Sequence, residues 1–473
     1  VGPDFVQPAD PAAKAYTPGG NPAATSTTEG AEVTVQNFKE GSEPDSRWWQ
    51  RFGSSALDEL VQLGLNNSPT VLAAQATLEN ARYTAAAERE SLFVPNVSAS
   101  LSDTREQFST ASIGQPGHHY LFNLANAQVG VTYNLDLFGG NRRQLESFMA
   151  QAEASGYLWQ AARMSLASNM VTVAVREAGL NSQVALLKRQ IALEQELLSI
   201  ARSREQVGAI SAMDVKTQEV NLANLAASLP PLEKQLNAYH HQLSVYLGRS
   251  PAEGVPQTIA FDSFKLPTDL PVLVPSSLVH RRPDILASSA NLHQATAELG
   301  VATAAVYPNL SLSASYGVVG SRSADLFSSK GPVWSLGGSV LQPIFNGGAL
   351  EASKNAAEAR VRQAAFQYQA TVLTAFQNVA DSLRALESDA NLEGSQRLSL
   401  KALESQWQAG QTQYQVGGIA YTTLLQMEER QLAAKSALIQ TQTNRLCDTA
   451  ALYLAMGGGW WEQDKSSREA DKP

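Results

Sequence analysis

One cysteine in 473 residues, Cys447, excludes an intrachain disulfide, and its place in a helical stretch reads as a small buried apolar side chain. No window approaches 18 uninterrupted apolar residues, so a membrane-spanning helix is excluded and any insertion must use strands. Basic residues are too few for nucleic acid: the net charge is −9, and no Lys or Arg run forms a phosphate-binding face. G-x-S-x-G, P-loop and G-x-G-x-x-G motifs are all missing. The six histidines form no ligand set: His118-His119 sit in a strand-to-strand loop, and His240-His241 are helix neighbours pointing to different sides. The six methionines are unclustered, which disfavours a soft-metal relay. No carboxylate pair stands in a setting suited to acid–base work. No catalytic residue, metal or cofactor is therefore expected.

Aromatic residues make up only 7% of the chain and charged residues 17%, with Ala, Leu, Gln and Ser dominant, a composition suited to long helices. The chain starts at Val1 rather than Met, which reads as processed or trimmed. Residues 1–54 are rich in Pro, Gly, Ala, Thr and Ser and are expected to be extended, leading into a belt. Residues 462–473 are polar and expected to be a flexible tail.

The rest of the chain is written twice, with an offset of about 210 residues. Phe93-Val-Pro-Asn-Val-Ser-Ala-Ser100 matches Val306-Tyr-Pro-Asn-Leu-Ser-Leu-Ser313, and Leu137-Phe-Gly-Gly140 matches Ile344-Phe-Asn-Gly347. Gln206-Val-Gly-Ala-Ile210 matches Gln415-Val-Gly-Gly-Ile419, and Pro69 answers Pro283. The repeats are expected over 55–275 and 276–461. The first holds a helix from Ser55 to Leu92, strands 93–108 and 121–136, a long helix 141–207, a turn, a helix 213–248 and a linker 249–275. The second holds a helix from Ser276 to Val306, strands 307–319 and 332–343, a long helix 348–416, a turn and a helix 422–456.

The strands alternate with period two. Val97, Ala99 and Leu101 oppose Ser98, Ser100 and Ser102; Trp334, Leu336 and Val340 oppose Ser335, Gly337 and Ser339. Two environments suit this pattern: a soluble sheet with one wet face, or a membrane barrel whose apolar face meets lipid and whose polar face lines a lumen. Four strands per chain cannot close a barrel, and their edges would lie unpaired in lipid. Three copies would give twelve strands; two would give eight, too narrow for a lumen.

From Asn141 to Val207 there is no proline and only two glycines, so a helix of about 100 Å fits. The other helices are about half as long. One long helix matches two short ones stacked, which suggests a cylinder interrupted at mid-height by a belt. Trp48-Trp49 and Gly457-Gly-Gly-Trp-Trp461 are expected to pack in that belt.

Nearly the whole chain resembles the outer-membrane factors of tripartite efflux pumps, the TolC family, and especially its OprM-like lipoprotein branch. The marks are Val1-Gly-Pro-Asp-Phe5, Leu135-Asp-Leu-Phe138, Arg281-Arg-Pro-Asp-Ile285, Tyr307-Pro-Asn-Leu-Ser311 and Leu454-Ala-Met-Gly-Gly-Gly-Trp460. The resemblance implies a homotrimer with a 12-stranded transmembrane β-barrel in outer-membrane lipid and an α-helical barrel reaching into the periplasm. It implies a periplasmic adaptor and an inner-membrane RND transporter as partners, and a lipid anchor on a cysteine preceding Val1. The function implied is the exit duct of a multidrug pump; a TolC-like duct for type I protein secretion is the alternative. A trimeric surface fibre is disfavoured, because the strands are split between repeats and enclosed by helices.

In such a duct, function sits at the closed tip. Its docking residues are expected at the two turns: Val207, Gly208 and Ser211, and Val416 and Gly417. The gate is expected just beyond them. OprM-like proteins carry Leu-Leu-Asp-Ala-Gln-Arg there, whereas this chain reads Leu424-Leu-Gln-Met-Glu-Glu-Arg430. Gln426 thus replaces the Asp and Glu429 stands where the Arg falls. The expected gate and lumen residues are Asp214, Gln218, Thr422, Gln426 and Glu429.

Overall fold

The computed structural model describes residues 1–26, 29–114, 117–321 and 332–461; the tail expected over 462–473 lies outside them. In chain order the elements are β1 (Asn37–Glu40), α1 (Ser55–Asn67), α2 (Pro69–Phe93), β2 (Asn96–Ser109), β3 (His119–Leu135) and α3 (Gly140–Gln206). There follow α4 (Ala212–Ala227), α5 (Leu229–Tyr246), β4 (Asp269–Val272), α6 (Pro275–Leu278) and α7 (Pro283–Ala304). The last are β5 (Asn309–Gly320), β6 (Pro332–Leu341), α8 (Ala349–Gln415) and α9 (Tyr421–Ala455). No described helix is long and apolar enough to cross a membrane.

Three spans expected as single helices are broken, each at proline. Ser68 takes an extended backbone before Pro69, which opens α2. The repeat-related Pro283 opens α7 after the short α6. Ser228 separates α4 from α5, whose first turn holds Pro230. Proline fits only the first helical turn, and at Ser68 the preceding residue is also pushed into an extended backbone, whereas Ser228 stays helical and the break there comes from the missing N–H groups of Pro230 and Pro231.

The chain divides into two compact units, and each draws on both sequence repeats. One comprises 1–8, 77–156 and 287–369; the other comprises 9–76, 157–286 and 370 onward.

The first unit holds a four-stranded antiparallel sheet in the order β2-β3-β5-β6. Its centre, the β3–β5 pair, joins the repeats, with Val129 opposite Tyr316 and Val131 opposite Ala314. Alternation sorts the faces. Val97, Leu101, Trp334, Leu336 and Val340 are exposed, while on the other set of positions Ser311 and Ser315 hydrogen-bond Ser339 and Ser335 at 2.8 Å. Where β3 meets α3, Asp136 accepts the backbone N–H groups of Asn141 (3.0 Å) and Arg142 (2.9 Å), which otherwise have no helical partner. Phe138 stacks on Tyr307 at 4.8 Å. The N-terminal residues are strapped on: Phe5 stacks on His293 at 4.5 Å, Asp4 pairs with Arg143, and His293 bonds Glu146 at 2.8 Å.

In the second unit, β1 and β4 pair in parallel beside the helices. The tryptophans expected in a belt pack as core. Trp48 is buried and stacks on Tyr453 at 5.0 Å. Arg281 lies over Trp461 at 5.0 Å and pairs with Glu43 at 2.8 Å, and Glu43 also accepts from Trp461 Nε1. Arg282 grips Asp284 at 2.6 Å and donates to the Ala455 carbonyl. The Arg-Arg-Pro-Asp motif therefore fastens residues distant in sequence to the end of α9. Deeper still, Arg445 donates to Glu393 at 2.7 Å and to Gln36 Oε1, tying α9 to α8 and the N-terminal segment.

Candidate functional site: the turns that end the long helices

Both turns sit in the second unit and share one backbone frame. After α3, Gly208 adopts φ +72° and donates to Glu205 O (2.8 Å), while Ala209 donates to Arg204 O (2.8 Å). After α8, Gly417 adopts φ +78° and donates to Tyr414 O (3.0 Å), while Gly418 donates to Gln413 O (2.7 Å). A left-handed residue here lets the chain satisfy the last carbonyls and reverse. Nothing lies within 4 Å of a side chain built at Gly208 or Gly417, so the demand is conformational and not steric. Val207 and Val416 are both 79% exposed.

The helices leaving the turns begin differently. Ser211 and Asp214 form a reciprocal capping box, in which the Ser211 side chain accepts from Asp214 N (3.2 Å) and Asp214 Oδ2 accepts from Ser211 N (3.0 Å). Those bonds from Ser211 hold the Asp214 carboxyl below its ordinary range. Ala420 occupies the same place before α9 and gives no side-chain bond. Instead α9 is tied outward to α3: Tyr421 Oη donates to Glu196 at 2.9 Å, Arg189 pairs with Glu428 at 2.8 Å, and Gln190 Nε2 donates to Glu429 O at 3.2 Å. The Glu196 carboxylate holds the Tyr421 phenol above its usual range. Leu425 packs with Leu193 and Leu197 of α3 in a small core between these ties.

A cavity of about 490 Å3 opens beside that core, lined by α3, α4 and α9. Gln218, Gln426 and Glu429, picked out from the sequence, all line it, together with Glu194. Gln218 Nε2 donates to Glu194 Oε1 at 2.6 Å. Asp214 serves in the capping box, and Thr422 is half-buried in the first turn of α9. The sequence reading missed Glu194, Glu196, Arg189 and Tyr421. A signal for Glu194 existed: it interrupts an apolar strip, next to Leu193 and three residues before Leu197.

Among the described residues no group of three or more His, Cys, Asp or Glu is placed to hold a metal ion. The arrangement can hold helix ends together through hydrogen bonds and ion pairs.

Comparison with known proteins agrees with this architecture. The family model for outer membrane efflux proteins matches residues 60–249 and 274–458. The pyoverdine export outer membrane protein OpmQ of Pseudomonas aeruginosa is 29% identical over 420 residues, covering 88% of this chain and 87% of the relative. The probable efflux pump outer membrane protein TtgC of Pseudomonas putida is 27% identical, covering 98% and 93%. The structure of the outer-membrane channel OprN superposes with a TM-score of 0.82 at 27% identity, covering 97% of this chain and 99% of that one.

Proposed function

Because this chain belongs to the outer membrane efflux protein family, we propose that it is the outer-membrane exit duct of a tripartite, RND-type multidrug pump, acting as a homotrimer. Its place is the bacterial outer membrane and its work is efflux. The observation that carries the fuller reading is the four-stranded sheet, with an exposed apolar face and β2 and β6 at its two edges. In lipid neither edge can stay unpaired, since each unbonded backbone group costs several kcal/mol. Three copies joining β6 to β2 of the next chain close a 12-stranded barrel.

The internal repeat supports the same joining. Phe138 at the end of β3 rests on Tyr307 at the start of β5, whereas its repeat counterpart Phe345 is 90% exposed. Val94, the counterpart of Tyr307, is exposed as well. The second contact, of Phe345 with Val94, is then completed between copies.

The two turns form the periplasmic tip. Val207, Gly208, Ser211, Val416 and Gly417 meet a periplasmic adaptor, and the cavity-lining Gln218, Gln426 and Glu429, with Asp214 and Thr422, belong to the gate. Docking of the adaptor and the inner-membrane transporter releases the ties to α3 and opens it. The transporter selects the compounds carried. OpmQ is named for pyoverdine export and TtgC for an efflux pump, so small molecules are the expected cargo.

Deleting the gene and measuring susceptibility to a panel of antibiotics, dyes and detergents tests this. Hypersensitivity to several unrelated compounds, rescued by the intact gene, is the expected result. Unchanged susceptibility with loss of a secreted protein would replace the multidrug reading with a secretion duct.

A further inference from the structure

We infer that Asp389 of α8 and Asp448 of α9 share one proton, forming a carboxylic acid–carboxylate bridge that holds the two helices together and is lost when the proton leaves. The bridge lies within the second unit and stands whether or not the chain is an exit duct.

Helix register brings the pair together. α8 and α9 run antiparallel: Gly410 of α8 lies against Met427 and Leu424 of α9, and Glu393 pairs with Arg445 at 2.7 Å. One turn further along the same seam, four residues back on α8 and three forward on α9, Asp389 meets Asp448. Asp389 Oδ2 is shut off from solvent and accepts no hydrogen bond from any N–H or hydroxyl of the described residues. The charged groups around the pair are committed elsewhere. Arg445 donates to Glu393, to Gln36 Oε1 and to the Thr34 carbonyl, and Glu393 also accepts from Arg397 and Gln442. Arg176 of α3 is exposed and meets the Cys447 thiol, and Asp262 lines a cavity with Glu393 and Arg445 instead of facing the pair. Two ionised carboxylates in this contact would only repel. A proton supplies the one donor the seam lacks, because the O–H of one carboxyl then donates to an oxygen of the other.

Electrostatics point the same way. Burial first, then the hydrogen bond to Asp448 and the charge of Asp448, push the Asp389 carboxyl up to about 7; Arg445 opposes the rise and Glu393 adds to it. Parting the helices admits water and returns both carboxyls to the ordinary range of about 4. A group whose value is raised in the closed arrangement stabilises it fully below the ordinary value. That contribution is lost as pH rises through the raised one. The seam is therefore firmer in mild acid than in base.

Infrared spectroscopy of the full-length chain reads the proton directly. The carbonyl stretch of a protonated carboxyl, taken as wild type minus Asp389→Asn, is expected at about pH 6 and gone by about pH 9. Subtracting Asp448→Asn instead should isolate the same band. Hydrogen exchange reads the seam. Protection of the α8 and α9 amides around the pair, corrected for the intrinsic effect of pH on exchange, should fall about ten-fold across that range. Asp389→Asn places an amide donor where the proton was, and Asp448→Asn does so from the other helix, so each should keep protection high at both pH values. Asp389→Ala removes donor and acceptor together and should flatten the response at the lower level. Absence of the band from both difference spectra in mild acid, or the full wild-type fall in protection in both asparagine variants, overturns the proposal.

Discussion

The turn after α3 and the turn after α8 have the same glycine geometry and the same pair of backbone bonds, and both helices they launch are tied to α3 by an ion pair, Arg202–Glu219 for α4 and Arg189–Glu428 for α9, yet only α4 also carries a cap of its own. The first uses local chemistry, the Ser211–Asp214 box within four residues of chain. The second has alanine at the capping position and relies on side chains of α3 more than two hundred residues earlier in sequence. A helix held by its own cap stays formed wherever it moves. A helix start held by a distant partner loses its support when that partner withdraws. On the proposed gate reading, the start of α9 is therefore the part expected to let go, and the capped start of α4 the part expected to stay ordered.

The largest break in this comparison comes from Gly410 of α8. It is buried, and a side-chain carbon there would lie 2.6 Å from Met427 Sδ and 3.5 Å from Leu424 Cδ1 of α9. Gly410→Leu wedges α9 off, at a strain on the order of 1–3 kcal/mol that the better helix propensity of leucine only partly offsets. Exchange of α9 amides near the turn should accelerate strongly and conductance should rise at every pH. The matched change at the half-buried Ala201 of α3, Ala201→Leu, should do much less. Equal effects at both sites would show that the two turns are equally secured.

A middle-sized effect is expected from Ser211→Ala, which removes the first cap at a cost on the order of 1 kcal/mol. Amides at the start of α4 should exchange several-fold faster, with α9 unaffected. Acid offers the same perturbation by titration. The depressed Asp214 carboxyl contributes stability above its unfolded value and loses it as pH falls through the folded one, below the ordinary Asp range. The first turn should then fray in strong acid.

The parts that were legible in the sequence are those set by short periods. Alternation sorted Val97 and Leu101 from their serine neighbours without any knowledge of pairing, because the period of a strand is two. The Val-Gly turns stood out because glycine punctuates a long helix. Gln218, Gln426 and Glu429 were found by their distance from those turns. Their partner Glu194 was not, because it approaches from α3, and its facing depends on helix phase accumulated over several turns before Gly208. Ser68–Pro69 and Ser228–Pro230 were passed over for a different reason. Proline in a first helical turn leaves the apolar pattern continuous on both sides, so periodicity alone does not see the break. The repeats were visible too, but they cut the chain across its packing units. Similarity is inherited along the chain, whereas packing gathers strands with strands and helices with helices.

The smallest expected effect sharpens the comparison most directly. Ala420→Ser gives the second turn the capping residue it lacks, in a backbone already extended for the role (φ −75°, ψ 150°). The third position of α9 is Thr423, not an acid, so only half of a capping box can form, and the gain should be about 0.5 kcal/mol. The Thr423 amide, now bonded to the Ala420 carbonyl at 3.0 Å, should exchange about two-fold more slowly. If the cap were the whole difference between the turns, this one hydroxyl would also make α9 indifferent to Tyr421→Phe. The expectation is that it does not: the capped helix should still loosen when the bond to Glu196 is cut, because the cap orders the first turn of α9 while the bond decides where that turn sits.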